Sequence, residues 1–385
     1  MNFTLTEDQI AFRDLAAQFS RQELLPNAAD WDRDSIFPIE TLKKAGKLGF
    51  LSLYAPESMG GMGLSRLDAS LVFEQLAMGC TSTTAYMTIH NMVVWMVGLA
   101  ASDEVLSEWS EALVTGDKLA SYCLTEPGSG SDAASLKMRA VREGNEYVLS
   151  GSKMFISGAG STDLLLVMAR TGQEGPKGIS AFAVPADSQG ITYGRNEKKM
   201  GWKSQPTRLV SFDNVRIPIS ALLGKEGEGF TLAMKGLDGG RINIATCSVG
   251  TAQQALNTAR DYLKDRKQFG KALAGFQALQ FRLADMVTEL TAARQMVRLA
   301  AFKLDQNDPE ATAYCAMAKR FATDIGFKVC DEALQLHGGY GYINEYPLER
   351  HVRDTRVHQI LEGTNEIMRL IIARRVLADE CSGLE

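Results

Sequence analysis

The sequence predicts a mainly α-helical protein with a central β domain. Apolar residues recur at helical spacing in the first and last parts of the chain, whereas the part between them has short aliphatic and β-branched runs separated by glycine and proline. This order of helices, strands and helices argues against a Rossmann fold, in which strands and helices alternate. We therefore expect three domains, at residues 1–118, 119–228 and 229–385.

The first domain opens with a helix start signal. Thr6 stands three residues before Gln9, which is the spacing of a capping box, and Ile10, Phe12 and Leu15 follow at roughly helical spacing. These residues predict a helix near the N-terminus.

The middle domain has the pattern of short antiparallel strands in a barrel or a sandwich. Gly144 and Asn145 lie where a hairpin turn would connect two of these strands. The predicted strands contain residues 147–149, 164–168, 179–184 and 209–212.

The third domain contains a long helix with one narrow apolar seam. Its apolar residues are separated by alternating steps of three and four over four heptads, which is typical of a helix packed against other helices. The seam consists of Phe276, Leu279, Leu283, Met286, Leu290, Ala293, Val297, Ala300 and Leu304. We interpret the seam as core, since such packing needs no ligand to explain it.

Composition and charge narrow the functional classes. The chain has 45% hydrophobic and 23% charged residues and a formal net charge of -5, without a strongly basic region, so we do not expect nucleic-acid binding. The six cysteines form no Cys-x-x-Cys pair, which favours reduced thiols and no metal site. The longest apolar stretch, residues 86–101, is too short and too polar to cross a membrane. The N-terminus has neither a basic start nor an apolar signal core, so we expect a cytoplasmic protein.

Five segments carry residues suited to binding a ligand or moving a proton. Taken alone, each also has an ordinary structural explanation: a surface turn, a strand, a solvated basic cluster, a structural histidine or a helix-start acid. The segments are residues 122–132, 151–157, 265–277, 335–342 and 359–367.

Three of these segments suit a large planar cofactor with a pyrophosphate. Gly130 lets the backbone approach a ligand closely. Phe155 and Ser157 share one face of an extended chain, where a ring can stack on the cofactor and a hydroxyl can bond its edge. The guanidinium of Arg266 is well matched to a pyrophosphate.

The last segment offers a general base. Glu362 stands between Leu361 and Gly363, and a carboxylate in an apolar setting has a raised pKa that makes it usable as a base. A helix-start acid, stabilised by the helix dipole, fits the spacing equally well.

In this order and at these separations, the five segments resemble those of the acyl-CoA dehydrogenase family, and the likeness covers essentially the whole chain. The resemblance implies a helical N-terminal domain, a β-barrel-like middle domain and a C-terminal four-helix bundle, with FAD bound in each subunit of a homotetramer. It is most detailed, and most similar to members that act on isobutyryl-CoA, over residues 122–135, 177–180, 201–208, 239–245 and 356–366.

The resemblance also implies roles for single residues. The expected contacts to the flavin are Tyr122, Leu124, Thr125, Gly130, Ser131, Phe155, Ile156 and Ser157; many relatives have Trp and Thr where this chain has Phe155 and Ser157. The residues expected to reach the FAD of a neighbouring subunit are Arg266, Phe269, Phe276 and Gln277. The remaining FAD contacts, at the adenine, the pyrophosphate and elsewhere, are Gln335, Leu336, His337, Gly338, Gly339, Thr364, Asn365 and Glu366. The expected acyl-CoA contacts are Ser131, Asp238, Arg241, Leu361, Gly363 and Arg374.

By the same resemblance, Glu362 is the catalytic base. The family has a second location for the base, and here that location holds Gly240, which cannot take a proton. The implied reaction is α,β-dehydrogenation of a short branched acyl-CoA, isobutyryl-CoA to methacrylyl-CoA, in which Glu362 takes the α-proton and a hydride passes to N5 of FAD. An electron-transfer flavoprotein then reoxidises the flavin.

Other functions remain open at this point. The chain could dehydrogenate another short straight or 2-methyl-branched acyl-CoA. A second alternative is an acyl-CoA oxidase, a related enzyme that uses oxygen. A DNA-associated binding protein on the same scaffold is disfavoured by the net charge of -5.

Overall fold

A computed structural model describes residues 4–378. It contains a helical region, a mixed sheet and a second helical region, as the sequence predicts. The helices in the described range are α1 Glu7–Phe19, α2 Ala28–Asp34, α3 Ile39–Lys47, α4 Arg66–Gly79, α5 Thr81–Ala100, α6 Asp103–Thr115, α7 Gly229–Asp265, α8 Gln277–Asp305, α9 Ala311–His337, α10 Leu348–Arg356 and α11 Asn365–Leu377. The strands are β1 Ala120–Cys123, β2 Arg139–Glu143, β3 Glu146–Ser157, β4 Leu164–Arg170, β5 Ile179–Pro185, β6 Ile191–Tyr193, β7 Thr207–Pro218, β8 Leu222–Leu223, β9 Lys267–Gln268 and β10 Lys271–Ala272.

The start of α1 has the predicted capping box. The Gln9 backbone N–H donates to Thr6 Oγ1 at 3.2 Å, and the Thr6 backbone N–H donates to Gln9 Oε1 at 3.1 Å. Two backbone donors that the helix itself cannot satisfy are thereby bonded.

The sheet is mostly, but not wholly, antiparallel. Its strand order is β6-β7-β3-β2-β4-β5-β8, and β1 pairs with β4 in parallel. The prediction of antiparallel strands is therefore wrong for two pairings of β4, which runs parallel to β1 and, at Arg139 and Arg170, to β2. Strand β1 enters the sheet directly from the helical region rather than through a hairpin. The predicted hairpin at Gly144 and Asn145 is confirmed between β2 and β3.

The C-terminal helices form a bundle around α9, which packs against α7, α8 and α11. The predicted seam is confirmed on α8: Met286, Leu290 and Val297 are buried in one cluster with residues of α7 and α9. The ends of the seam are only partly buried, because they lie at the ends of the helix. Helix α4 also packs on α7, which joins the first helical region to the bundle.

Two polar residues within α5, His90 and Asn91, are buried and hydrogen-bonded. Asn91 donates to the Phe50 carbonyl at 2.9 Å and accepts from the Leu53 N–H at 2.8 Å, and the His90 ring bonds both the Leu113 carbonyl and the Ala120 N–H. In the part of the chain that the structure describes, no helix has the length and apolar character needed to cross a membrane. Five cysteines are buried free thiols, and Cys381 lies outside the described residues.

We expect Leu290→Ala to lower the free energy of unfolding by about 2–5 kcal/mol, because it opens a cavity at a fully buried position. Thr288→Ala, on the exposed side of the same helix, should change it by no more than about 0.5 kcal/mol. Urea unfolding of both holoenzyme variants tests the difference. Equal midpoints for the two variants would contradict the packing of the seam.

Candidate active site

Glu362 lies in a tight turn directly before α11. Its backbone has φ +56°, which is a left-handed conformation rarely adopted by residues with a side chain, and Gly363 follows at φ +87°. Thr364 caps α11 through its hydroxyl, which accepts from the Ile367 N–H. The sequence therefore places the carboxylate before the helix, not within its first turn.

Oε2 of Glu362 is buried and has no hydrogen-bond partner among residues 4–378, while the residue as a whole is half-buried. Burial raises the pKa of Glu362 to about 7, although the charges of Arg241 and Lys319 act to lower it. Loss of hydration thus outweighs two nearby cations. A group with a pKa near neutrality can accept a proton and release it again.

Tyr122 brings the first segment to the same place. Its hydroxyl is buried and, within the described part of the chain, has no hydrogen-bond partner. Burial raises the pKa of Tyr122, and the charge of Glu362 adds to that rise. The structure therefore brings the segments around residues 122 and 362 together at one cleft.

Helix α7 forms one wall of this cleft. A Cβ atom at Gly240 would lie 2.5 Å from Glu362 Oε2 and 3.4 Å from the Met92 sulfur. The next residue, Arg241, is buried and pairs with Asp238, whose other oxygen accepts from Thr312 at 2.8 Å. Gly240 therefore faces the space that the carboxylate of Glu362 occupies.

The segment after β1 is fixed to β3 by a buried ion pair. Lys153 Nζ lies 2.8 Å from Glu126 Oε1 and donates to the Leu124 carbonyl at 3.0 Å. Thr125 accepts from the Met154 N–H at 2.8 Å. Beyond this anchor, an added Cβ at Gly130 would meet no described atom within 4 Å, so the loop borders open space.

Phe155 differs from the sequence interpretation. It has φ +59° beside a register shift between β3 and β7, so the extended conformation assumed there is wrong at this residue. A β-bulge explains the change, since it bends one strand locally. Phe155 is still 62% exposed while Ile156 is buried, and Ser157 is partly exposed. Phe155 and Ser157 thus lie outside the core, whereas Ile156 is buried in it.

A second group of predicted residues lines a cavity of about 530 Å³ at the ends of α7 and α9. Its walls include Arg266, the segment 335–339, Tyr262 and Tyr340. Tyr262 stacks on the His337 ring at 4.1 Å between centroids, and His337 Nε2 is buried with no partner within the described range. Added Cβ atoms at Gly338 and Gly339 would meet no described atom within 4 Å. Two segments distant in the sequence, around residues 266 and 337, are therefore joined.

Other predicted residues lie at the surface of the single chain. Phe269 is 93% exposed and Gln277 is also exposed, whereas Phe276 is half-buried and packs edge-on against Phe269. Ser131 and Arg374 are exposed as well.

The segment after Glu362 is split between core and surface. Asn365 is buried, Glu366 is exposed and Leu361 packs against a small cluster that includes Trp202.

Three residues near the cleft escaped the sequence analysis. The buried guanidinium of Arg66 stacks on the Tyr54 ring at 3.5 Å and would touch a Cβ at Gly239, and Lys319 is fully buried near Glu362. Tyr54 and Arg66 gave no signal, because their neighbours come from distant parts of the chain. Lys319 gave one: it falls on the apolar face of α9, four residues after Cys315.

Comparisons with known proteins cover the whole site. Family models of acyl-CoA dehydrogenase match in three parts: the N-terminal domain at residues 6–117, the middle domain at 121–215 and the C-terminal domain at 227–377.

Individual relatives align along nearly the whole chain. Mitochondrial isobutyryl-CoA dehydrogenase of Bos taurus is 52% identical, over 97% of this chain and 90% of its own. The structure of butyryl-CoA dehydrogenase from Megasphaera elsdenii aligns with TM-score 0.94 and 37% identity, over 98% of this chain and 100% of that one. A chain in a structure described as the electron transferring flavoprotein of Acidaminococcus fermentans aligns with TM-score 0.94 and 38% identity, over 98% and 100% of the two chains.

The fold and these matches agree with the family resemblance of the five segments. The chain belongs to the acyl-CoA dehydrogenase family and is an FAD-dependent oxidoreductase.

Proposed function

We propose that this enzyme dehydrogenates a short branched acyl-CoA, with isobutyryl-CoA as its preferred substrate and Glu362 as the base that removes the α-proton. One observation carries the assignment of the base. Glu362 presents a buried carboxylate oxygen that has no partner among the described residues and a pKa of about 7. Such an oxygen is available to a proton that the substrate brings.

The chain's own residues fit FAD. The cavity lined by Arg266 and residues 335–339 offers a guanidinium, a partnerless ring nitrogen on His337 and open space over two glycines. These groups suit a pyrophosphate and a heteroaromatic ring. We assign the flavin end to Thr125, Phe155 and Ser157. When bound, FAD supplies the two-electron acceptor for the β-hydrogen of the substrate.

The α-hydrogen of a thioester is far too weakly acidic for an ordinary glutamate, whose reference pKa is about 4.3. Burial helps by raising the pKa of Glu362 to about 7. Oε2 then takes the hydrogen as a proton, and the electron pair of that C–H bond becomes the second bond between Cα and Cβ. Substrate, when it binds, displaces the water that would otherwise hydrate the carboxylate.

The preference for a short branched chain rests on the resemblance in sequence and on the bovine relative, which is named for isobutyryl-CoA. A short straight or another 2-methyl-branched acyl-CoA is the alternative substrate.

We also propose an electron-transfer flavoprotein as the electron acceptor and a homotetramer as the assembly. The exposure of Arg266, Phe269 and Gln277 supports the assembly, since the resemblance implies that these residues contact the FAD of a neighbouring subunit. The cytoplasmic location stays a prediction, and the bovine relative is named as mitochondrial.

Glu362→Gln should retain FAD and bind acyl-CoA but reduce its flavin at least about 10²- to 10⁴-fold more slowly, because an amide cannot take the proton. Anaerobic stopped-flow bleaching of the flavin measures the rate. Glu174→Gln, which makes the same change at an exposed loop position, is the control and should match the wild type. A Glu362→Gln enzyme with the wild-type rate would refute the assignment of the base.

Arg266→Ala should weaken FAD binding by about 10- to 100-fold, the usual consequence of losing charged hydrogen bonds. The flavin-to-protein ratio after dialysis measures retention. Lys264→Ala removes a neighbouring exposed cation that does not line the cavity and should leave the ratio unchanged. Equal ratios in both variants would count against a role for Arg266.

A panel of acyl-CoAs tests the substrate. We expect kcat/KM to be highest with isobutyryl-CoA, lower with butyryl-CoA and 2-methylbutyryl-CoA, and lowest with octanoyl-CoA. A maximum at a straight or long chain would overturn the substrate assignment and leave the family unaffected.

A further inference from the structure

Lys319 is a buried lysine whose hydrogen bonds all end in the turn that carries Glu362. Its side chain is 0% exposed, and Nζ donates to the Gly363 carbonyl at 2.7 Å and to Asn365 Oδ1 at 2.9 Å. Lysine is almost never fully buried without a strong reason, because its charge loses hydration. The acceptors are the carbonyl of Gly363, the residue directly after Glu362, and the side chain of Asn365, the first residue of α11.

The turn needs this support because its backbone is strained. Glu362 has φ +56°, and such conformations persist only where the surroundings determine them. Asn365 continues the attachment: its Nδ2 donates to Thr323 Oγ1 at 3.0 Å and to Asp324 Oδ1 at 2.7 Å. One face of α9 therefore holds residues 363–365 in place, and Lys319 bonds Gly363, the residue next to Glu362.

Charges from several elements meet at Lys319. Glu362 from the turn, Glu366 from α11 and Asp324 from α9 favour its ammonium form, whereas Arg241 from α7 opposes it. Burial is the largest effect and lowers the pKa of Lys319 to about 7. His358 also lies nearby and is neutral, because burial and, to a lesser extent, the charge of Lys319 lower its pKa to about 3. Toward Glu362, Lys319 acts as a cation that lowers the carboxylate pKa.

We propose that Lys319 is a positioning residue of the dehydrogenation, which orients Glu362 through the Gly363 carbonyl and Asn365 and sets the basicity of that carboxylate through its charge. The proposal rests on the proposed role of Glu362 as the base. It extends that role to a residue on α9 that acts through the turn rather than on the reacting atoms.

The sign of the charge effect follows from the observed interactions. A nearby cation stabilises the carboxylate form of Glu362, so removing the cation raises the pKa of Glu362 and extends its protonated form to higher pH. Because only the carboxylate can accept a proton, the low-pH limb of the pH–rate profile should shift to higher pH.

Lys319→Met removes the charge and both hydrogen bonds, whereas Lys319→Gln removes the charge but keeps a donor for the buried Gly363 carbonyl. The glutamine variant keeps the test valid if the methionine variant does not fold. Lys319→Arg retains the charge and should restore part of the rate. Lys328→Met, at an exposed position on the same helix, is the matched control and should behave as the wild type.

Two measurements on the holoenzymes separate positioning from simple structural support. The first is the pH dependence of anaerobic flavin reduction by isobutyryl-CoA, with butyryl-CoA as a parallel substrate. The second is exchange of the α-hydrogens of acetyl-CoA in D₂O, which reports proton transfer alone because acetyl-CoA has no β-hydrogen. Flavin content and the Kd for acyl-CoA are measured on the same samples.

We expect Lys319→Gln to slow both reactions by roughly 10- to 100-fold with FAD content and Kd maintained, as a displaced reacting group does. The midpoint of the low-pH limb of its pH–rate profile should shift from about pH 7 to higher pH, by on the order of one unit. Unchanged rates and pH limb in the glutamine variant, or a slower reaction that only follows lost FAD, would overturn the proposal. If Glu362→Gln loses activity and exchange while Lys319→Gln stays fully active, the positioning role of Lys319 is refuted and the role of Glu362 stands. If Glu362→Gln itself is fully active, the assignment of Glu362 as the base is refuted.

Discussion

A buried carboxylate with a partnerless oxygen is an unfavourable arrangement, and much of the cleft serves to hold Glu362 in that state. Removing a charge from water costs free energy, and the protein answers by shifting the pKa of the group toward neutrality. Here burial prevails over the opposing charges of Arg241 and Lys319, and the pKa reaches about 7. Without those cations the pKa of Glu362 would be higher still, and less of the carboxylate would be ionised and able to accept a proton at neutral pH. With a full ion pair in contact with Oε2 it would be too weak a base.

The same balance explains why the carboxylate is presented from a turn rather than from a helix. A side chain in the first turn of α11 would be stabilised as an anion by the helix dipole, which lowers its pKa. Glu362 stands four residues before Glu366, which is on α11 and exposed. The left-handed backbone at Glu362 and the carbonyl contact of Lys319 direct the carboxylate inward to α7 instead. Two glutamates of one segment thus have different surroundings: Glu366 on the helix is exposed, whereas Glu362 in the turn points its carboxylate inward.

Local features of the fold could be read from the sequence, and features made by distant contacts could not. The cap at Thr6, the hairpin at Gly144 and the seam around Leu290 each depend on neighbours within a few residues or on one repeating pattern. The parallel pairing of β1 with β4 and the bulge at Phe155 depend on strands that the periodicity does not order. At the site, the five segments were identified by their resemblance, but spacing alone did not show that Tyr122 faces Glu362 or that Arg266 shares a cavity with His337. Lys319 was missed although it falls on the apolar face of α9, because lysine is usually exposed and its partners lie more than 40 residues away in the chain.

Close packing along one face of α7 explains the absence of a second carboxylate in the cleft. Gly239 lies against Arg66 and Gly240 against Glu362, so each lacks a side chain where another element approaches. A Cβ at Gly240 would lie 2.5 Å from Glu362 Oε2, well inside van der Waals contact, and a whole carboxylate there would meet Glu362 with like charge as well. The cleft therefore has room for one carboxylate, which the turn supplies. With glycine on the helix, the orientation of the carboxylate is left entirely to the turn and to the residues of α9 that hold it.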